Sequence, residues 1–129
     1  MNTPSRLQSV LVVEDESLVR MLAVDMFEEA GFHVLESTSG ERALELLTSN
    51  TIVGLFTDVE LAGHMTGLML AELIRGGNPG AAIIVASGQS IPTAKALPPR
   101  ARFIAKPYDL AEVIELFNAL LILSQDSSQ

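Results

Sequence analysis

Cysteine is absent from this 129-residue chain, which excludes disulfides, thiolate metal sites and a cysteine nucleophile together. The absence fits a reducing compartment. Bases are scarce as well: 8 Lys and Arg stand against 16 Asp and Glu, for a formal charge of −8. A surface of that sign repels phosphate backbones. Arg100 and Arg102 are the nearest approach to a basic cluster, and two bases are not a patch. Nothing approaches the roughly 18 consecutive apolar residues of a membrane span. Behind Arg6, the run Val10 to Val13 is too short for a signal peptide and leads into three acids. These exclusions predict a soluble, cytoplasmic protein with neither a nucleic-acid nor a membrane partner.

What is present is ordinary for one globular domain: 48% hydrophobic and 19% charged residues, enough to bury a single core. Short β-like runs alternate with amphipathic segments, the pattern of an α/β fold with a parallel sheet. Ser9–Val13, Phe32–Glu36, Ile52–Thr57, Ala81–Ala86 and Arg102–Ala105 read as strands. Helices are predicted over Ser17–Ala30, from the Thr38/Glu41 capping-box spacing to Leu47, over Gly67–Arg75, and from Asp109 onward. In the first of these, Leu18, Leu22, Met26 and Phe27 recur at helical spacing. In the last, Val113, Ile114, Phe117, Leu120 and Leu121 form the expected buried stripe. Met21, Met26, Met65 and Met69 are expected in core or loop packing. Five strands and four helices predict a three-layer sandwich, with 1–8 and 124–129 as flexible polar ends around a domain at 9–123. The opening Met1 and polar tail fit a complete, stand-alone protein.

Ligands of an open parallel sheet sit beyond the carboxyl ends of its strands. Four strands deliver polar groups there: Glu14-Asp15-Glu16, Thr57-Asp58, Ser87-Gly88 and Lys106-Pro107. Singly, each is unremarkable, since an acid at a strand end is commonly a helix cap or a solvated loop residue. Together they predict chemistry. Carboxylates roughly 4 Å apart repel by about 4 kcal/mol at an effective dielectric near 20, so Glu14, Asp15 and Asp58 call for a cation. Hard oxygen donors suit Mg²⁺. A carboxylate can also attack phosphorus to give an aspartyl phosphate, with Lys106 as a point charge on the phosphoryl oxygens and Ser87 as a hydrogen-bond donor.

LVVEDES (11–17), LFTDVELAGHMTG (55–67), VASG (85–88) and FIAKPY (103–108) resemble the response-regulator receiver family of two-component signalling. The resemblance extends from about Leu7 to Leu123. It implies a flavodoxin-like doubly wound sheet of order 2-1-3-4-5 and a bacterial single-domain regulator rather than a turnover enzyme. By the same resemblance, Asp58 is the phosphoacceptor and Asp15 the direct metal ligand. Glu14 is its partner, and Glu60 supplies a metal-ligating backbone carbonyl. Ser87 is then the switch hydroxyl, Lys106 the family's lysine and Phe103 the switch aromatic, with Pro107 following in a bond that is often cis. The implied cofactor is Mg²⁺. The implied partners are a sensor histidine kinase or histidine phosphotransfer protein and an unidentified downstream protein, with the chain a monomer or weak dimer.

Two departures stand out. Ala62 replaces the proline usual in the loop after Asp58, and Gly67 follows Asp58 by nine positions, one more than the family's habit. Only 19 positions separate Ser87 from Lys106, and Pro92, Pro98 and Pro99 fall between them. Prolines disfavour helix, so the fourth helix is expected to be short, near Thr93 to Leu97, or missing, and the output face altered. Two other classes remain open: a pseudo-receiver that binds without phosphorylation, and an aspartate-nucleophile phosphatase. The phosphatase usually needs an Asp where this chain has Glu60. A flavin-binding flavodoxin role is disfavoured, because the first strand leads into acids rather than a phosphate cradle.

Overall fold

Val10 to Val13 are apolar at every position because both faces of their strand are covered; none of the four has measurable exposure. The strand, β1 (Ser9–Val13), lies inside the sheet, flanked on both sides, in a computed structural model that describes residues 8–88 and 97–127. Around it the chain runs α1 (Ser17–Glu29), β2 (His33–Ser37), α2 (Gly40–Leu47), β3 (Gly54–Asp58) and α3 (Gly67–Gly77). It ends β4 (Ala82–Ser87), β5 (Arg102–Ala105) and α4 (Leu110–Ser127). All pairings are parallel, in the order β2-β1-β3-β4-β5. The three-layer sheet and its strand order are those the sequence predicts.

Alternation along the strands sorts the core into two layers. Val10, Val12, Phe56 and Ile84 point to the side covered by α1 and α4, where Phe27, Phe32 and Phe117 meet edge to face at centroid separations of 5.1–6.0 Å. Leu11, Val13, Leu55, Ile83 and Val85 point the other way, against Ala43 of α2 and Leu70, Ala71 and Ile74 of α3. Each fully buried Phe or Leu contributes about 1.5–3 kcal/mol.

The structure corrects several local expectations. In α1 the core stripe is Ala23, Val24 and Phe27, while Leu18 and Leu22 face solvent at 63% and 51% exposure, with Met21 beside them at 52%. Met69 of α3 is likewise exposed rather than packed. The cap of α2 is Ser39, not Thr38: its Oγ accepts from the Arg42 amide at 3.2 Å. Glu41 is therefore free of capping duty and does something else. Gly31, with φ +99°, ends α1 in the left-handed conformation expected of it. Strands β2, β3 and β4 end one residue later than predicted, and α3 continues to Gly77. Helix α4 runs to Ser127, so residues 124–127 are helical where a polar tail was expected.

The short helix expected at Thr93 to Leu97 falls, apart from Leu97, outside the described residues. Among the described residues between β4 and β5 there is no helix. Their re-entry into β5 is held by Arg75, whose buried guanidinium donates to the carbonyls of Pro99 (2.8 Å), Asn78 (3.3 Å), Pro79 (3.0 Å) and Ala81 (2.7 Å). Among the described residues no helix is long and apolar enough to cross a membrane.

Candidate functional site

Because β1, β3, β4 and β5 are parallel and in register, their carboxyl ends open on one edge of the sheet. Glu14 and Asp58 are buried there, with 5% and 7% exposure, and Asp15 is exposed beside them. One carboxylate oxygen from each of the three lies within 4.8 Å of the others. Two oxygens on opposite sides of a Mg²⁺ ion are about 4.2 Å apart, so this all-oxygen set fits that ion with little closure.

Lys106 reaches the acids from the end of β5. Its Nζ is 2.9 Å from Asp58 Oδ2 and 3.2 Å from Glu14 Oε1. Burial pulls the lysine pKa down, but the hydrogen bond to Asp58 and the field of Glu14 and Asp58 outweigh it and leave the pKa above its ordinary value. Glu14 is displaced upward, mainly by burial and further by Asp58, although the Glu16 amide (3.1 Å) and Lys106 oppose the shift. Three carboxylates facing one ammonium hold an excess of negative charge in a half-enclosed pocket. Tyr108 packs edge to face on Phe56 at 5.4 Å, its hydroxyl pKa pushed up to about 12 by burial and then by Glu14.

Ser87, 2% exposed at the end of β4, donates its hydroxyl to both carboxylate oxygens of Glu60, at 3.1 and 3.0 Å. Glu60 also brings its backbone amide to 3.4 Å from Asp58 Oδ1. Phe103 is half-buried on β5, paired in register with Val85. The bond between Lys106 and Pro107 is cis.

The parts that Glu41, Gly63, Thr57 and Gly67 play in the site went unrecognised in the sequence. Glu41 accepts from the amides of His64 (3.0 Å) and Met65 (3.2 Å), tying the loop after Asp58 to the start of α2. These bonds, with its own amide, hold its carboxyl below the usual range. The longer loop turns at Gly63, with φ +93°, and bridges Ser39 through Ala62. Thr57 donates its hydroxyl to the Asp58 carbonyl at 2.9 Å. Gly67 returns the chain against that same carbonyl, its amide bonded to Val59 O at 2.9 Å. Glu41 left a trace in the sequence only as the acid of a capping box it does not make, and Thr57 and Gly67 only as neighbours of Asp58 and of the helix start.

The sequence profile of the response regulator receiver domain matches residues 10–118. The chain belongs to that family. Its receiver fold is also that of a response regulator receiver protein from Sinorhizobium medicae, with TM-score 0.88 and 26% identity over 92% of this chain and 98% of that one. The receiver protein CpdR of Brucella abortus is 28% identical over 120 residues, covering 90% of this chain and 98% of its own. A cyclic di-GMP phosphodiesterase from Thermotoga maritima is 36% identical over 77 residues, 60% of this chain but only 20% of that protein. As a receiver domain the chain serves signalling, and the domain modifies itself rather than turning over a substrate.

Proposed function

We propose that Asp58 accepts a phosphoryl group from a histidine kinase or histidine phosphotransfer protein, and that the phosphorylated domain signals by protein contact or relay. The observation that carries this reading is the convergence on Asp58 of Lys106 at 2.9 Å and of Glu14 and Asp15 within 4.8 Å. In the transfer, an Asp58 carboxylate oxygen forms a bond to phosphorus while the donor's P–N bond breaks and its imidazole leaves. Lys106 stabilises the phosphoryl oxygens and Ser87 donates to them after transfer. Phe103 follows Ser87 as the aromatic of the switch. Glu14, Asp15, Asp58 and the backbone carbonyl of Glu60 are the groups that would hold Mg²⁺. The ion, when bound, offsets charge on the attacking and phosphoryl oxygens. The acting unit is the domain at 9–123, cytoplasmic, monomeric or weakly dimeric.

Incubation with Mg²⁺ and acetyl phosphate, followed by intact-mass measurement, tests the proposal. The wild type should gain one phosphoryl group, and Asp58→Asn none. An unmodified wild type, or an undiminished gain in Asp58→Asn, would sink it.

A further inference from the structure

The Ser87 hydroxyl already faces an anion. Its Oγ lies within 3.1 Å of each carboxylate oxygen of Glu60, at the carboxyl end of β4 where Ser87 is 2% exposed. Hydrogen bonds to ionised acceptors are about twice as strong as neutral ones. The segment carrying Glu60 is held by the Val59 amide on the Ala86 carbonyl at 2.9 Å, while the Glu60 amide itself makes only a long 3.4 Å contact with Asp58 Oδ1. From that backbone the Glu60 carboxylate turns to the Ser87 hydroxyl.

A serine hydroxyl carries one proton. The two carboxylate oxygens of Glu60 share it, and a phosphoryl oxygen could take it only at their expense. The function proposed above requires that same proton for a phosphoryl oxygen, and the phosphoryl group is itself an anion that a neighbouring carboxylate repels. We infer that Glu60 is a built-in competitor of the phosphoryl group: its carboxylate occupies Ser87 before phosphorylation and must be expelled for the switch to engage. This rests on the acceptor reading of Asp58. It makes Glu60 a positioning residue that sets how much phosphoryl binding is needed before Ser87 moves. The Glu60–Ser87 pair is absent until the chain folds, because 27 positions separate its members.

Removing Glu60 acts in two ways, releasing Ser87 and deleting a charge, and a double-mutant cycle separates them. The probe is beryllium fluoride, a stable phosphoryl mimic, titrated calorimetrically in the presence of Mg²⁺. Wild type, Glu60→Ala, Ser87→Ala and the double variant are compared, each checked for folding by thermal melt. With Ser87 present, Glu60→Ala should tighten binding on the order of tenfold, the scale of one charge-assisted hydrogen bond. With Ser87→Ala the gain should shrink several-fold. Glu60→Gln, which keeps an acceptor oxygen without the charge, should fall between.

Equal gains in the two backgrounds would assign the effect to charge alone and overturn the competition; so would no gain in either. Ser87→Cys, with only a weak donor, replaces Ser87→Ala should that variant not fold. A wild type that binds no more beryllium fluoride than Asp58→Asn would instead overturn the acceptor reading itself, and the competition with it.

Discussion

Gly67 leaves no room for a side chain against Asp58: a Cβ placed on it would lie 1.9 Å from the Asp58 carbonyl oxygen and 3.0 Å from Thr57 Oγ1. Both obstacles are fixed, one being backbone and the other a buried hydroxyl bonded to that backbone. Asp58 is thus positioned from behind by the returning chain as well as from the front by Lys106.

Gly67→Ala should therefore destabilise the fold by about 3 kcal/mol, the upper part of the range for overpacking. Thr57→Val, which removes only the hydroxyl bond, should cost about 1 kcal/mol. Urea unfolding curves of the two variants decide the matter; similar midpoints would show that the loop yields around the new methyl group.

Removing the ammonium with Lys106→Ala leaves two buried carboxylates facing each other. In metal-free buffer the loss should be about 2 kcal/mol, less than for a fully buried pair because the lysine side chain is 22% exposed. Added Mg²⁺ should stabilise the native state by about 2.7 kcal/mol at one hundred times its Kd. The rise in Tm on adding Mg²⁺ should be larger in Lys106→Ala than in the wild type, because metal and ammonium neutralise the same acids. An equal rise in both proteins would place the ion elsewhere.

The loop after Asp58 should respond to acid through Glu41. Its carboxyl lies below its ordinary 4.5, held there by its own amide and those of His64 and Met65. A depressed folded-state pKa contributes stability that is present above 4.5 and lost as pH falls through the lower value. The His64 and Met65 amide resonances should shift together in that acid window. The shift should vanish in Glu41→Gln; its persistence there would mean that another group anchors the loop.

On α1 the two apolar stripes should differ sharply in cost. Leu22→Lys, on the exposed stripe, should change stability by no more than about 0.5 kcal/mol. Phe27→Ala, which empties the aromatic cluster, should cost about 3–5 kcal/mol. Thermal melts of the two variants would reverse the assignment of faces if Leu22→Lys proved the more damaging.

That assignment also shows where reading the sequence stops short. Strand ends were legible because each apolar run breaks into an acid, a hydroxyl or a lysine, and parallel strands carry those breaks to one edge. Helix faces were harder. Leu18 and Leu22 outweigh Ala23 by size, yet the small residue is the one that lets α1 approach the sheet. Thr38 and Glu41 have capping spacing, but the backbone turns one residue later, at Ser39. The tail after Leu123 lacks apolar periodicity, so its helical continuation left no mark. Contacts such as Glu60 with Ser87 depend on the path of a loop and on which neighbour offers a proton, and neither is written in spacing.

Arg75 has a consequence for how this domain can vary. Its guanidinium fastens Pro99 to the turn before β4, while the Lys106 amide bonds to the Ser87 carbonyl at 3.0 Å at the strand's other end. Strand β5 is thus pinned at both ends, at its entry through Pro99 at the close of the proline-containing connection and at its exit through Ser87. The register that delivers Lys106 to the acids is insulated from the length and composition of the part of that connection that precedes Pro98. Insertions or exchanges there leave Lys106 aligned with Glu14 and Asp58.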